Sequence, residues 1–418
     1  MSQQFDPYRD RYAARAAGMT RSEIRELFAV LERPEVISLA GGNTDTSIVA
    51  HRIEECVHAT LARNSAEALG YGIGEGHARL RERLVELMSL EGITAQPHQL
   101  VVTDGAQQAL ELLAKIFCEP GDLIITEAPT YVGALGAFDS FQADVRTVAT
   151  DGEGVIPEAL VERLEAIGAE GRRAKFLYLV PTFQNPSGIT LAAERRGEII
   201  SICRQRNVLI VEDNPYAQVR FEGDPVAPLR SLTDDGIIYL GTLSKVFSPG
   251  MRVGWVLAPE TIRERLVLAK EAADLCSSPF TQLVAAEYLG SGHVPDDLEM
   301  VRKVYKERRD AMLDALDAYF PAGTTTRPPE GGLFLWVTLP APIDTKAMRA
   351  RALEGGVAYV SGTAFHPDKR DGRRSMRLNF SYPSLADIEE GMHRLGAVAH
   401  EELDFARSLD DSINDGKA

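Results

Sequence analysis

The stretch YLGTLSKVFSPGMRVGW, Tyr239 to Trp255, carries one lysine, Lys245, among small and apolar residues, with Thr242 and Ser244 before it and Arg252 seven positions after it. A lysine held in a partly buried site beside another cation gives up its proton more readily and becomes a nucleophilic amine able to form a Schiff base. The same residue could instead lay its stem along a sheet edge and keep its ammonium in water. In VLIVEDNPYAQVRF an acid, Asp213, closes a strand-like run and Tyr216 follows three positions on. A carboxylate buried there needs a cation, such as a protonated pyridine nitrogen, or it takes up a proton; the plainer reading is a helix N-cap. In YLVPTFQNPSGIT, Asn185 lies in a turn after another strand, where its amide can donate to a phenolic oxygen or simply serve the turn. VVTDGAQQALELL reads as a strand, a small-residue turn and a helix start at Ala106 and Gln107, a place where backbone N–H groups receive phosphate. It lacks both the Walker spacing and the glycine-rich dinucleotide fingerprint.

Four strand ends thus offer an amine, a carboxylate, an amide and an anion nest. One ligand uses all four: an aldehyde on a pyridine ring that also bears a phenolic oxygen and a phosphate, pyridoxal 5'-phosphate. The elements that must position these groups alternate along the chain. LVVTD, DLIITE, KFLYLVP, VLIVED, GIIYLGT and RVGWVLA are short, apolar and rich in β-branched residues, while QQALELLAKIF, AERRGEIISICRQR and TIRERLVLAKEAADL repeat at helical spacing. Such alternation predicts an α/β large domain over residues 65–295, with a mainly parallel sheet between helices and ligands at the carboxyl ends of its strands. DLEMVRKVYKERRDAMLDALDAYF predicts a bridging helix over 296–320. Residues 321–418, with GGLFLWVTL, TKAMRARALEGG, VAYVSG, SMRLNFSY and a last helix from LADIEEGMHRLGAVAHEEL, predict a smaller α+β domain. Residues 1–64, a helix then an extended run into ISLAGGN, are expected to pack with that small domain, and the polar tail DDSINDGKA is expected to fray.

Composition narrows the function classes. The 418-residue chain carries a formal net charge of -16, which repels nucleic acid and anionic membrane surfaces. It contains no apolar run of the roughly 20 residues needed to cross a bilayer, and MSQQFDPYRDRYAARAAGM lacks the apolar core of a secretory signal. Cys56, Cys118, Cys203 and Cys276 are scattered, without a CxxC pair or histidine at ligand spacing. That pattern argues against a metal site and for a reduced, cytoplasmic setting.

The motifs ISLAGGN, LGYGIGEGHARLRERL, TDGAQQAL, EAPTYVGAL, PTFQNPSG, VEDNPYAQVRF, GTLSKVFSPGMRVGW, EGGLFLW and MRLNFSY occur in one order over nearly the whole chain. In that order the sequence resembles the fold type I aminotransferases, and within them the subgroup of 2-aminoadipate and kynurenine aminotransferases. The resemblance implies a seven-stranded large-domain sheet, pyridoxal 5'-phosphate as cofactor, and transfer of an amino group between an L-amino acid and a 2-oxo acid by a ping-pong mechanism. It implies that Lys245 carries the cofactor and moves the proton, that Asp213 pairs with the pyridine nitrogen, and that Tyr216 and Asn185 meet the phenolic oxygen. Tyr131 would stack on the ring, while Ala106, Gln107, Thr242, Ser244 and Arg252 would grip the phosphate. Tyr71 would reach that phosphate from a second subunit, making a homodimer. Arg377, with Gly42 and Asn185, would hold the substrate α-carboxylate, and Ser22 and Arg25 would read a distal carboxylate. The chain departs from the family at Ala106, where serine is common, and at Thr44 and Ser361, where proline is usual.

Substrate choice stays open at this level among 2-aminoadipate-like, aromatic and branched-chain amino acids with glutamate and 2-oxoglutarate. A lyase or decarboxylase on the same cofactor shares these residues. A regulator built on the same fold is disfavoured by the acidic charge and by the short stretch ahead of ISLAGGN.

Overall fold

The computed structural model describes residues 6–18, 33 and 35–415. Its centre is a seven-stranded sheet whose strands are β1 (Leu100–Thr103), β2 (Leu123–Glu127), β3 (Asp144–Val148), β4 (Ala174–Leu179), β5 (Leu209–Asp213), β6 (Ile237–Thr242) and β7 (Gly254–Leu257). In space they run β1-β7-β6-β5-β4-β2-β3. Every strand except β3 is almost wholly buried, as a sheet covered by helices on both faces requires, which is why they read as unbroken apolar runs. β3, sequence DVRTV, is half exposed at the sheet edge. The pairs β3–β2, β2–β4, β4–β5 and β5–β6 are parallel, whereas β7 runs antiparallel to both β6 and β1.

The direction of β7 matters for the site. Because it is reversed, its beginning lies at the edge where β1 and β6 end: Gly254 is level with Thr103 on one side and Thr242 on the other. Arg252, two residues ahead, is thereby delivered between the ends of β1 and β6.

A separate small sheet joins Thr325–Thr326, Phe334–Thr338, Ser375–Asn379 and Val360–Ser361, all antiparallel. The run VAYVSG is not one strand: Val357–Ala358 pairs in parallel with Ile37–Ser38, and only Val360–Ser361 joins the small sheet. The N-terminal run is therefore stitched to the C-terminal part, with further bonds from the Leu39 N–H to the Ala358 carbonyl and from the Asn379 N–H to the Leu39 carbonyl. The helix Ala50–Ala68, kinked at Asn64, packs along the helix Pro279–Leu289. One sequence expectation changes here. The last helix, Leu385–Asp415, continues through most of the tail expected to fray. The bridging helix spans Val294–Tyr319 and packs against that last helix. Among the described residues no helix is long and apolar enough to cross a membrane.

Candidate active site

Asp213 is the final residue of β5 and is buried. Register places Tyr178 of β4 opposite Val211, and strand alternation turns Val211 and Asp213 to the same face. The Tyr178 hydroxyl accordingly donates to Asp213 Oδ2 at 2.8 Å. Asp213 Oδ1 is equally buried and has no hydrogen-bond partner. Burial pushes this carboxyl up to about 7, opposed by the Tyr178 hydrogen bond. A buried, orphaned carboxylate oxygen is costly unless a donor, preferably a charged one, comes to it.

Lys245 sits on the connection between β6 and β7, and its Nζ donates to the Gly42 carbonyl at 2.7 Å. Removal from water lowers its proton affinity to about 8, and the nearby guanidinium groups of Arg377 and Arg252 act in the same direction. At the base of the connection the Thr242 hydroxyl donates to the Val253 carbonyl at 2.9 Å, lies 2.9 Å from Ser244 Oγ and accepts from the Ser244 N–H. Thr44 donates to the Ser244 carbonyl at 3.4 Å. Arg252 itself is in the left-handed region, φ 53° and ψ 48°, a conformation that non-glycine residues keep where the surroundings dictate it. Its Nη2 donates to the Asp104 carbonyl at 2.7 Å.

The turn after β1 completes this corner. Gly105, φ +79°, precedes the helix Ala106–Phe117, whose first N–H groups have no partner within the helix. A Cβ on Gly105 would stand 2.7 Å from Arg252 Nη2, and one on Gly254 would stand 2.6 Å from the Gly105 carbonyl carbon and 2.8 Å from the Ala106 nitrogen. Glycine at both places lets backbone and guanidinium close around one small cup. Gln107 Nε2 donates to the Gly133 carbonyl at 2.8 Å, and Tyr131 Oη lies 3.5 Å from Gln107 Oε1.

From the opposite side the small domain supplies Arg377, on Ser375–Asn379 and buried. Its Nη1 donates to Asn185 Oδ1 at 3.0 Å and its Nη2 to the Ala40 carbonyl at 2.8 Å, while Nε is buried without a partner. Asn185 Nδ2 donates onward to the Tyr216 hydroxyl at 3.3 Å. The guanidinium centre lies 4.0 Å from the Phe334 ring centroid and 5.1 Å from that of Phe365. Burial lowers Arg377 to about 10 and raises the Tyr216 phenol.

Contacts and short-range electrostatics thus link these residues at the carboxyl edge of the sheet: Lys245 with Gly42, Arg377 and Arg252, Arg377 with Asn185 and through it Tyr216, Tyr131 with Gln107 and Asp213, Thr242 with Ser244, and Arg252 with the Asp104–Ala106 turn. Tyr71 is not part of that cluster: it stands 92% exposed on the surface. Ser22 and Arg25 lie outside the described residues. Sequence reading missed Tyr178, Phe334, Phe365 and the Ala40 carbonyl. A tyrosine hydroxyl inside a buried strand must find a partner, and that was the one available signal for Tyr178.

Comparison with known proteins follows the same lines. The family described as aminotransferase class I and II matches residues 34–395. The aromatic-amino-acid aminotransferase 1 of Thermococcus litoralis is 41% identical over 399 residues, covering 95% of each chain. The 2-aminoadipate transaminase of Thermus thermophilus is 35% identical over 386 residues, 91% of this chain and 94% of that one. Among solved structures, the kynurenine aminotransferase of Pyrococcus horikoshii, in complex with PMP and with kynurenine as substrate, superimposes with a TM-score of 0.90 at 38% identity, over 95% of this chain and 98% of that one.

Proposed function

The chain belongs to the class I and II aminotransferase family, and from that premise we propose how its cleft holds pyridoxal 5'-phosphate and which partners it serves. It is a pyridoxal-phosphate-dependent transaminase. The observation that carries the side-chain reading is Asp213 Oδ1, a buried acceptor with nothing to accept. Burial alone favours a proton on this carboxyl; a protonated pyridine nitrogen brought against it would favour the ionised form, and the orphaned oxygen would then be satisfied in an ion pair. The cup formed by Gly105, Ala106, Gln107, Thr242, Ser244 and Arg252 suits a phosphate, with backbone N–H groups, hydroxyls and a guanidinium facing it.

When bound, the cofactor supplies an electron-withdrawing ring that accepts the electrons released at the substrate Cα. Lys245 would hold the cofactor covalently through Nζ and, once freed, would be the base placed to take up and return the substrate's α proton. A base whose own value is about 8 is matched to that task near neutral pH. Tyr216 and Asn185 would hold the phenolic oxygen, and Tyr131 would lie against the ring. Arg377 receives the α-carboxylate together with Gly42 and Asn185. Its burial and two aromatic neighbours keep water from the planar fork, the setting in which a bidentate carboxylate pair is strongest.

Glutamate and 2-oxoglutarate form one substrate pair in this reading, with 2-aminoadipate-like, aromatic or branched-chain acids as the other. Ser22 and Arg25 are the proposed readers of a distal carboxylate. The assembly is a homodimer in which Tyr71 enters the other subunit's phosphate cup; the exposure of Leu69, Tyr71, Ile73 and Leu275 supports that surface as an interface. Four thiols without a disulfide, three of them buried, favour a cytoplasmic setting.

The test follows the cofactor's absorbance band. It should shift on adding an amino acid without acceptor and return on adding 2-oxoglutarate, with kcat/KM compared across 2-oxoadipate, phenylpyruvate and 2-oxoisocaproate. A band that returns with none of these acceptors defeats the proposed partners.

A further inference from the structure

Behind the phosphate cup lies a charge pair, its lysine buried and its carboxylate partly exposed, that the chemistry above does not use. Lys270, on the helix Glu260–Asp274, is 0% exposed, and its Nζ lies 2.9 Å from both carboxylate oxygens of Asp274 one turn later. The Asp274 side chain is 22% exposed, and a partly exposed ion pair contributes little net stability, so stability alone is a weak account of this one.

Its geometry suggests another role. A carboxylate accepts and cannot donate, so Asp274 Oδ2 takes the Nε2 of Gln108 at 2.6 Å, and that bond fixes which way the Gln108 amide faces. Gln108 Oε1 must then point the other way, where it accepts the Asp104 N–H at 2.8 Å. The carbonyl of the same residue is the one held by Arg252 at 2.7 Å. Asp104 is therefore gripped through its N–H from below and through its carbonyl from above. Thr103 adds a bond from its hydroxyl to the Gly105 carbonyl at 3.0 Å. The Gly105 N–H is itself taken by the Thr103 carbonyl at 2.8 Å, so the groups left to face a ligand are the backbone N–H groups of Ala106 and Gln107 at the start of the helix.

We propose that Gln108, Asp274 and Lys270 are positioning residues for the phosphate: they orient the turn Asp104–Gln107 and, through the Asp104 carbonyl, the Arg252 guanidinium. This rests on the reading of that turn as the cofactor's phosphate site. None of the three touches the reacting atoms, so their effect is confined to ligands that carry the phosphate.

The experiment compares the apoprotein's affinity for pyridoxamine 5'-phosphate, for pyridoxamine and for inorganic phosphate as competitor. The variants are Gln108→Leu, which removes both amide bonds, and the double change Lys270→Met/Asp274→Leu, which removes the charge pair at similar volume. Both variants should bind pyridoxamine 5'-phosphate and inorganic phosphate about tenfold or more weakly, the scale of one or two lost charge-assisted hydrogen bonds. Pyridoxamine should be unaffected, and the melting temperature of the double variant should not fall. Equal weakening of pyridoxamine with and without phosphate would overturn the proposal, as would no weakening of either. Should the double variant fail to fold, Gln108→Leu alone decides by the same ratio. If the unaltered protein itself binds pyridoxamine and its phosphate equally well, the phosphate site is misassigned, an outcome distinct from failure of the brace.

Discussion

Lys245 owes its reactivity to its surroundings: burial and two guanidinium groups all work against its proton. An ordinary lysine near 10.5 is almost wholly protonated at neutral pH, while a group near 8 leaves an appreciable neutral fraction. Because the folded value is lowered, the amine is protonated below about 8 and free above it. The rate at which apoprotein takes up the cofactor covalently should therefore rise about tenfold per pH unit below 8 and level off above it, as stopped-flow absorbance would record; a rise continuing past pH 10 would contradict the assignment. Lys245 and Asp213 stood out in the sequence as polar residues set in or ending apolar runs, Asn185 as part of a turn after a strand, and Arg377 only through the resemblance carried by MRLNFSY. Tyr178 was not, since its partner is chosen by register between strands far apart in the chain. Phe334 and Phe365 read as ordinary core residues, and the Ala40 carbonyl belongs to no side chain.

At the scale of elements, the reversed strand β7 does what a parallel strand could not, by starting where its neighbours finish. RVGWVLA was legible as a strand, but an apolar run carries no sign of its direction. DVRTV was passed over because a half-exposed edge strand, with charged residues between its apolar ones, resembles neither a buried strand nor an amphipathic helix. The close approach of β7 to the turn after β1 gives a test. Gly254→Val puts a side chain where the Gly105 and Ala106 backbone already lies. Overpacking of that kind costs about 1–3 kcal/mol, so if the turn absorbs it, cofactor affinity should fall about 5- to 150-fold. Titration of the apoprotein by fluorescence, alongside its melting temperature, separates a moved turn from a general loss of stability.

For the whole molecule, a chain of net charge -16 concentrates Lys245, Arg252 and Arg377 in one cleft, so the positive field that draws phosphate and carboxylate is local. The α/β class and the small C-terminal domain were legible from alternation and spacing, whereas the packing of Ala50–Ala68 on Pro279–Leu289 was not, because it is a long-range fact. The proposed homodimer makes a prediction at this scale. Tyr71→Ala and Lys245→Ala subunits, each nearly inactive alone, should regain roughly a quarter of full activity when mixed and allowed to exchange, since a heterodimer then holds one intact site of its two. No recovery after exchange would place Tyr71 outside the shared site. A last consequence comes from the connection between β6 and β7. Its base is closed by the bond from the Leu243 N–H to the Val253 carbonyl and by the Thr242 hydroxyl on that same carbonyl. Lys245 and Arg252 both ride on this one short loop, so under the proposed assignment the cofactor's aldehyde end and its phosphate end are fastened to a single cooperative unit. Opening this loop would loosen both ends together, leaving the phosphate to the helix start at Ala106–Gln107 and to the other subunit's Tyr71.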